Sequence, residues 1–202
     1  MAKELKAVVR TDKIEAYQAG RIHHLRVGIE ELENGTIVGV GGTERTNLDT
    51  RKMVNPEEGV AVALVADPVK IYDESSYDAR FAHNYSMEEG QVVRAYKLVP
   101  TDVFSVSLEG IGEGAELIEE LTYDADDVIV EDVYAVATTD GEGYKLKLTA
   151  DKPVDAPFVG KVIATEVVGG LLSRTWGQGT GDAGSLGVAG KTMVIIDVLE
   201  AK

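Results

Sequence analysis

The stretch Tyr144-Lys145-Leu146-Lys147-Leu148 alternates apolar and basic side chains without a break. Successive side chains of a β-strand point to opposite faces, so the two lysines are expected to face water and the three apolar residues a core. This pattern predicts a half-buried strand at 144–149.

Short β-branched runs bounded by Gly, Pro, Asn and Asp recur along the rest of the chain. Their spacing is typical of an all-β sandwich or barrel. The predicted strands are 22–29, 36–40, 60–66, 69–72, 92–98, 103–108, 128–137, 144–149, 159–168 and 192–199. We therefore predict an all-β fold, a compact barrel or sandwich, in which 21–98 and 99–202 are candidate β subdomains.

Turn and helix signals are few. Asn34-Gly35 predicts a β-hairpin, because a type I′ turn needs positive φ at both central residues. Asp12 and Glu15 form a capping-box pattern before Gly20, which predicts one short helix at 12–19 within an N-terminal arm, residues 1–20. For 114–121 the spacing of the apolar residues leaves helix and strand both open.

Charge is distributed unevenly along the chain. The 202 residues carry a net charge of −15. Between 98 and 144 there are 13 acidic residues and no Lys or Arg, whereas residues 1–29 carry a net charge of +3. We expect the acidic stretch to face solvent, because uncompensated carboxylates repel one another and any acidic partner.

Composition excludes several classes of function. A chain this acidic gains little from counterion release at phosphates or from an anionic membrane surface, so neither nucleic acid nor membrane is an expected partner. Without cysteine there is no disulfide framework, thiolate nucleophile or zinc ribbon. The N-terminus has no apolar signal-peptide segment, so we expect a protein that is not exported and that assembles in a reducing cytosol.

No motif indicates an enzyme, a metal or a cofactor. The G-x-G-x-x-G match at 179–184 lacks the following helix and lies in a glycine-rich loop at 169–190. His23 and His24 are adjacent and would point to opposite faces of a strand. The acidic loop that contains Asp124, Asp126 and Asp127 could offer oxygens to Ca²⁺, but a solvated acidic face is the simpler interpretation.

One feature of the glycine-rich loop is typical of a contact element. Trp176 lies two residues from Arg174, and these two residue types dominate interface hot spots. A tryptophan that folds back over the end of the β domain explains the pair equally well.

Several segments together resemble head-associated proteins that are encoded next to the major capsid protein in tailed phages of Gram-positive bacteria. The segments are LENGTIVGV at 32–40, VALVADPVKIYDE at 62–74, GQVVRAYKL at 90–98, DVFSVS at 102–107 and VGKVI at 159–163. The resemblance implies a capsid auxiliary or decoration role on the outer surface of the phage head, with the major capsid protein as partner. It implies no catalysis.

We therefore expect a decoration protein that stabilises the head by bridging capsid subunits, and that could also contact copies of itself on the lattice. The expected docking element is the arm, which would add a strand to the partner and leave the rest of the fold intact if removed. The residues expected to bind the partner are Leu5, Lys6, Val8, Val9, Arg10, Lys13, Arg174 and Trp176. Two alternatives stay open: a component of the phage tail or baseplate, and an ion-dependent binding module or hydrolase that uses the acidic loop.

Overall fold

The fold is all-β, as predicted. The computed structural model describes residues 6–11, 14, 19–68, 85–119, 121–123, 129–138, 144–168 and 191–201. Within these residues the strands are β1 Val9–Arg10, β2 Ile22–Arg26, β3 Glu31–Leu32, β4 Ile37–Thr43, β5 Thr50–Val54, β6 Val62–Val65, β7 Met87–Glu88, β8 Val92–Lys97, β9 Val103–Ser107, β10 Ile111–Glu113, β11 Tyr134–Ala137, β12 Leu146–Thr149, β13 Phe158–Val168 and β14 Lys191–Ala201. No helix of the described part is long and apolar enough to cross a membrane.

The strands form two main assemblies. Five strands pair around a closed circuit in the order β2-β5-β4-β6-β8, which we call the barrel. Seven strands form the large sheet, in the order β1-β9-β14-β13-β11-β12-β10, and β3 pairs with β7 alone. The barrel strands lie between residues 22 and 97, and those of the large sheet, apart from β1, lie between 103 and 201.

The barrel and the large sheet share a core through strand β6. All four of its residues are at most 1% exposed. Ala63 and Val65 pack inside the barrel, whereas Val62 and Leu64 pack against the large sheet. A strand covered on both faces needs apolar residues at every position, which explains the unbroken run VALV. The division into two subdomains, 21–98 and 99–202, stays a prediction. The barrel and the large sheet share a core through β6.

The strand that the alternating stretch predicts is present, with two corrections. Leu146 and Leu148 are buried and Lys147 is half-exposed, as alternation requires. Lys145, which was expected to face water, has a side chain that is only 21% exposed, and its Nζ lies 3.5 Å from the Glu33 carboxylate. Tyr144, however, lies in a turn with φ of 59° and contacts the core of the barrel instead. Its hydroxyl donates a hydrogen bond to Asn55 Oδ1 at 2.6 Å. Tyr144 therefore joins the two assemblies rather than extending β12.

The predicted hairpin at Asn34-Gly35 is wrong. Only Gly35 has positive φ, and the strands on either side of the turn, β3 and β4, belong to different sheets. The Asn34 side chain instead bonds the backbone of Asp67: its Oδ1 accepts from the amide at 2.8 Å and its Nδ2 donates to the carbonyl at 3.1 Å. The turn therefore passes the chain from one sheet to another.

The other local predictions have mixed outcomes. Of 128–137, only Tyr134–Ala137 is a strand, and Ile129 makes an isolated bridge with Tyr123. A short helix, α1, spans Glu116–Glu119 and settles the open assignment at 114–121. The predicted strand 69–72 and most of the predicted helix 12–19 lie outside the described residues, where the next described element is the 3₁₀ helix Ala19–Arg21.

Candidate functional site

The segment predicted as a docking arm contributes to the chain's own sheet. Strand β1 pairs antiparallel with β9, with Val9 opposite Val106. Val8 donates its amide to Ser107 Oγ at 2.9 Å, and the Ala7 amide donates to Glu33 Oε2 at 2.7 Å. Ala7 is only 1% exposed. Residues 6–11 are therefore not a free arm, which corrects the expectation that the fold does without them.

The two basic residues described in this segment already have partners inside the chain. Lys6 Nζ lies 3.0 Å from Glu31 and 3.5 Å from Glu33. Arg10 Nη1 lies 2.6 Å from Glu166 Oε1 on β13. Their charges are thus largely engaged before any partner arrives. The other residues expected to bind a partner lie outside the described part of the chain: Leu5, Lys13, Arg174 and Trp176.

The acidic stretch 98–144 is more compensated in space than in sequence. Seven of its acidic residues are described, and four of them pair with a base from another part of the chain. Those pairs are Asp102 with Arg21, Glu109 with Lys191, Glu113 with Lys147, and Asp132 with Lys161. The expectation that the stretch faces solvent is correct for Glu113 and Asp132, which are exposed although paired, and wrong for Asp102, which is buried.

A cleft of about 400 Å³ lies beside this stretch, between α1 and the strands β11 and β12. Its carboxylate Asp132 is already engaged: Lys161 Nζ is 2.6 Å away and the Tyr134 hydroxyl donates at 3.1 Å. These two donors lower the pKa of Asp132. Among the described residues no three His, Asp or Glu side chains converge as metal ligands would. The acidic loop with Asp124, Asp126 and Asp127 lies outside the described residues, so the ion-dependent alternative stays a prediction.

The barrel presents a face with the opposite charge. Its adjacent strands β5, β2 and β8 read TRKMV, IHHLR and VVRAYK, with five Lys or Arg, two His and no acidic residue. Register sorts these side chains into two groups, because neighbouring residues of a strand point to opposite sides. His23, Arg51 and Lys97 are paired with Ala95, Leu25 and Ala63, which lie inside the barrel, so they belong to the inner side of their strands. His24, Arg26, Lys52 and Arg94 belong to the outer side. Strand β2 lies in the middle, so that His24 is opposite Arg94 on β8 and Arg26 is beside Lys52 on β5.

Most of these bases are accessible. Arg51, Lys52 and Lys97 are exposed, and Arg94 is half-buried. Arg26 is the exception among them, because Glu44 accepts two hydrogen bonds from its guanidinium, at 2.6 and 3.0 Å. The loop between β4 and β5 borders this face and adds Arg45 together with Leu48, which is 81% exposed. We call the unpaired bases of this region, with the two histidines, the cationic face. It has an outer group of His24, Lys52 and Arg94, an inner group of His23, Arg51 and Lys97, and Arg45 in the adjoining loop.

His23 reports the electrostatics of this face. Its pKa is lowered first by partial burial, then by the charges of Arg51 and Lys97, and last by His24. Burial and the nearby positive charges both disfavour the protonated imidazole, so His23 has basic neighbours in Arg51 and Lys97.

We expect stability to depend on pH through His23. Because its pKa is lower in the folded chain, the unfolded chain binds the proton more readily, so stability falls as pH drops through the ordinary histidine value of 6.5. His23→Gln should flatten the profile of urea midpoints between about pH 7.5 and about pH 5.5. His24→Gln, at the exposed neighbouring position, is the control. The same slope in wild type and His23→Gln would contradict this assignment.

Sequence reasoning found the histidines but missed the face. Each of the three strands lacks acidic residues, and that signal is visible in the sequence. What the sequence does not show is that β2 and β5 are direct neighbours in the barrel, where they pair in parallel although β3 and β4 lie between them in the sequence. Comparison with protein-family models, with curated proteins and with solved structures finds no match to this chain.

Proposed function

We propose that this protein is a non-catalytic decoration protein of a tailed phage, bound to the outer surface of the head, where it stabilises the lattice by bridging subunits of the major capsid protein. The observation that carries the proposal is the cationic face on a chain with a net charge of −15. A polarised surface suits a protein that must dock on one side and keep particles apart with the other.

Other features are compatible with this role. The all-β fold agrees with the segments that resemble phage head proteins. The chain contains no cysteine, so it can assemble in a reducing host cytoplasm. The barrel and the large sheet share a core, so a rigid body rather than a flexible arm would meet the capsid. Contacts between neighbouring copies on the lattice belong to the same proposal.

The composition of purified virions tests this function. We expect the protein to be present in a copy number comparable to that of the major capsid protein, and to remain with heads separated from tails. Heads that lack it should recover it when the purified protein is added, and should then resist heating better. A few copies per particle, found with the tails, would replace the proposal by the tail or baseplate alternative. Absence from virions would refute both.

A further inference from the structure

The bases of the cationic face differ from every other described base in the chain. Nine described Lys and Arg side chains form an ion pair with a carboxylate: Lys6, Arg10, Arg21, Arg26, Lys145, Lys147, Lys152, Lys161 and Lys191. The other five described bases have no carboxylate of the described part at ion-pair distance: Arg45, Arg51, Lys52, Arg94 and Lys97. All five lie on the barrel strands or the loop beside them.

A cluster of bases without carboxylate partners is unexpected in a chain with a large excess of acidic residues. With 35 acidic residues against 20 basic ones, a base finds a carboxylate easily, and the large sheet shows this at every described lysine. The five bases without a carboxylate therefore form a group that differs from the rest of the described chain.

We propose that the cationic face binds a carboxylate-rich protein surface. The proposal rests on the proposed function, because the partner on the head would be an acidic patch of the capsid protein. The bases supply complementary charge, and the exposed Leu48 beside Arg45 and Arg51 supplies an apolar contact among them. Arginine together with apolar side chains is the usual composition of a protein interface.

Two acidic residues border the face and limit where the partner can sit. Glu44 is held by Arg26, and its pKa is lowered chiefly by that hydrogen bond, with a smaller contribution from Lys52. Asp49 lies at the tip of the loop, where its amide is bonded to Asn47 Oδ1 at 3.2 Å. The Glu44 amide donates to the Thr50 carbonyl, next to Arg51, so Glu44 borders the β5 side of the cationic face.

A protein fits this face better than a nucleic acid does. Proteins that bind the phosphate backbone usually neutralise about 6 to 10 phosphates, and the face offers five unpaired Lys and Arg. A duplex long enough to reach them would also meet the acidic remainder of the chain. A folded acidic patch places its carboxylates on the face alone.

Binding of soluble poly-L-glutamate, followed by fluorescence anisotropy at low salt, tests the chemistry directly. The variant Arg51→Gln/Lys97→Gln removes two unpaired charges of the face. Lys147→Gln/Lys152→Gln removes two charges from half-exposed lysines of the large sheet and its flank, so the two variants have equal net charge. We expect the first to weaken binding at least tenfold and the second to change it less than threefold. Thermal melting should show both variants folded.

Several outcomes would overturn the proposal. These are no binding of poly-L-glutamate by the wild type, equal losses in the two variants, or tighter binding of double-stranded DNA than of poly-L-glutamate. Binding to purified heads distinguishes a failure of the cationic face as the binding surface from a failure of the decoration function. If the face variant binds heads as well as wild type does, this inference fails while the decoration function stands. If poly-L-glutamate binds as expected and heads do not bind at all, the decoration function fails instead.

Discussion

Gly35→Ala is expected to lower the free energy of unfolding by about 2–5 kcal/mol. The backbone at Gly35 has φ of +87°, where an L side chain costs about 1–2 kcal/mol. A Cβ there would also lie 2.6 Å from Val106 Cγ2, a fully buried methyl of the large sheet. Crowding of this kind in a packed core typically adds 1–3 kcal/mol. The two costs act together at the junction between the barrel and the sheet.

Val106 has little room to move away from the new methyl group. Its Cγ2 also lies against Gly110, where an added Cβ would be 2.5 Å away, so the side chain is held between two glycines. Thermal unfolding should show the effect as a fall in Tm of about 5–20 °C for a chain of this size. Gly59→Ala is the matched control, because φ there is +80° with no atom within 4 Å of the added Cβ.

The control separates the two contributions. Gly59→Ala should cost only the backbone part, about 1–2 kcal/mol. In a Val106→Ala background the added cost of Gly35→Ala should fall to that same value, because the methyl group that it meets has gone. If Gly35→Ala costs no more than Gly59→Ala in the wild-type background, the close packing of the turn against Val106 is wrong.

The sequence predicted the strands well because each strand is a local pattern. Strand β12 is covered on one face, so its apolar residues alternate at Leu146 and Leu148. Strand β6 is covered on both faces, so its apolar run is unbroken. The hairpin at Asn34-Gly35 failed for a physical reason. The dipeptide indicates a turn with positive φ at Gly35, but it does not indicate which strands the turn joins. In the structure the Asn34 side chain accepts a hydrogen bond from the distant Asp67 amide.

The candidate site depended on pairing between distant segments, which sequence patterns do not show. The bases of β2, β5 and β8 become one face only because the barrel brings these strands together. In the same way, the sequence shows 13 acidic residues between 98 and 144 with no base among them. In the structure four of these acids form ion pairs with bases that are distant in sequence: Arg21, Lys147, Lys161 and Lys191. The distribution of charge along the sequence therefore does not predict how charge is distributed over the surface of the folded chain.

Deleting residues 2–11 is expected to destabilise the fold by about 2.5–4.5 kcal/mol, whereas the sequence alone suggested that the arm is dispensable. The deletion removes β1, and with it the partly buried Val9 side chain, worth about 1–1.5 kcal/mol. It also removes the Ala7 amide and the Lys6 ammonium from the Glu33 carboxylate, which is 6% exposed. Losing the partners of a buried charged group costs about 1.5–3 kcal/mol.

Two further variants make this expectation decisive. Deleting residues 2–5 leaves the described segment in place, so the difference in urea midpoint between the two deletions measures what residues 6–11 contribute. Adding Glu33→Met to the 2–11 deletion removes the carboxylate that would otherwise be buried with only Lys145 near it, at 3.5 Å, and should restore part of the lost stability. If both deletions unfold at the same urea concentration, residues 6–11 do not belong to the core. They would then be free to pair with a capsid strand, as the sequence first suggested, and the docking surface would have to be sought there rather than on the barrel.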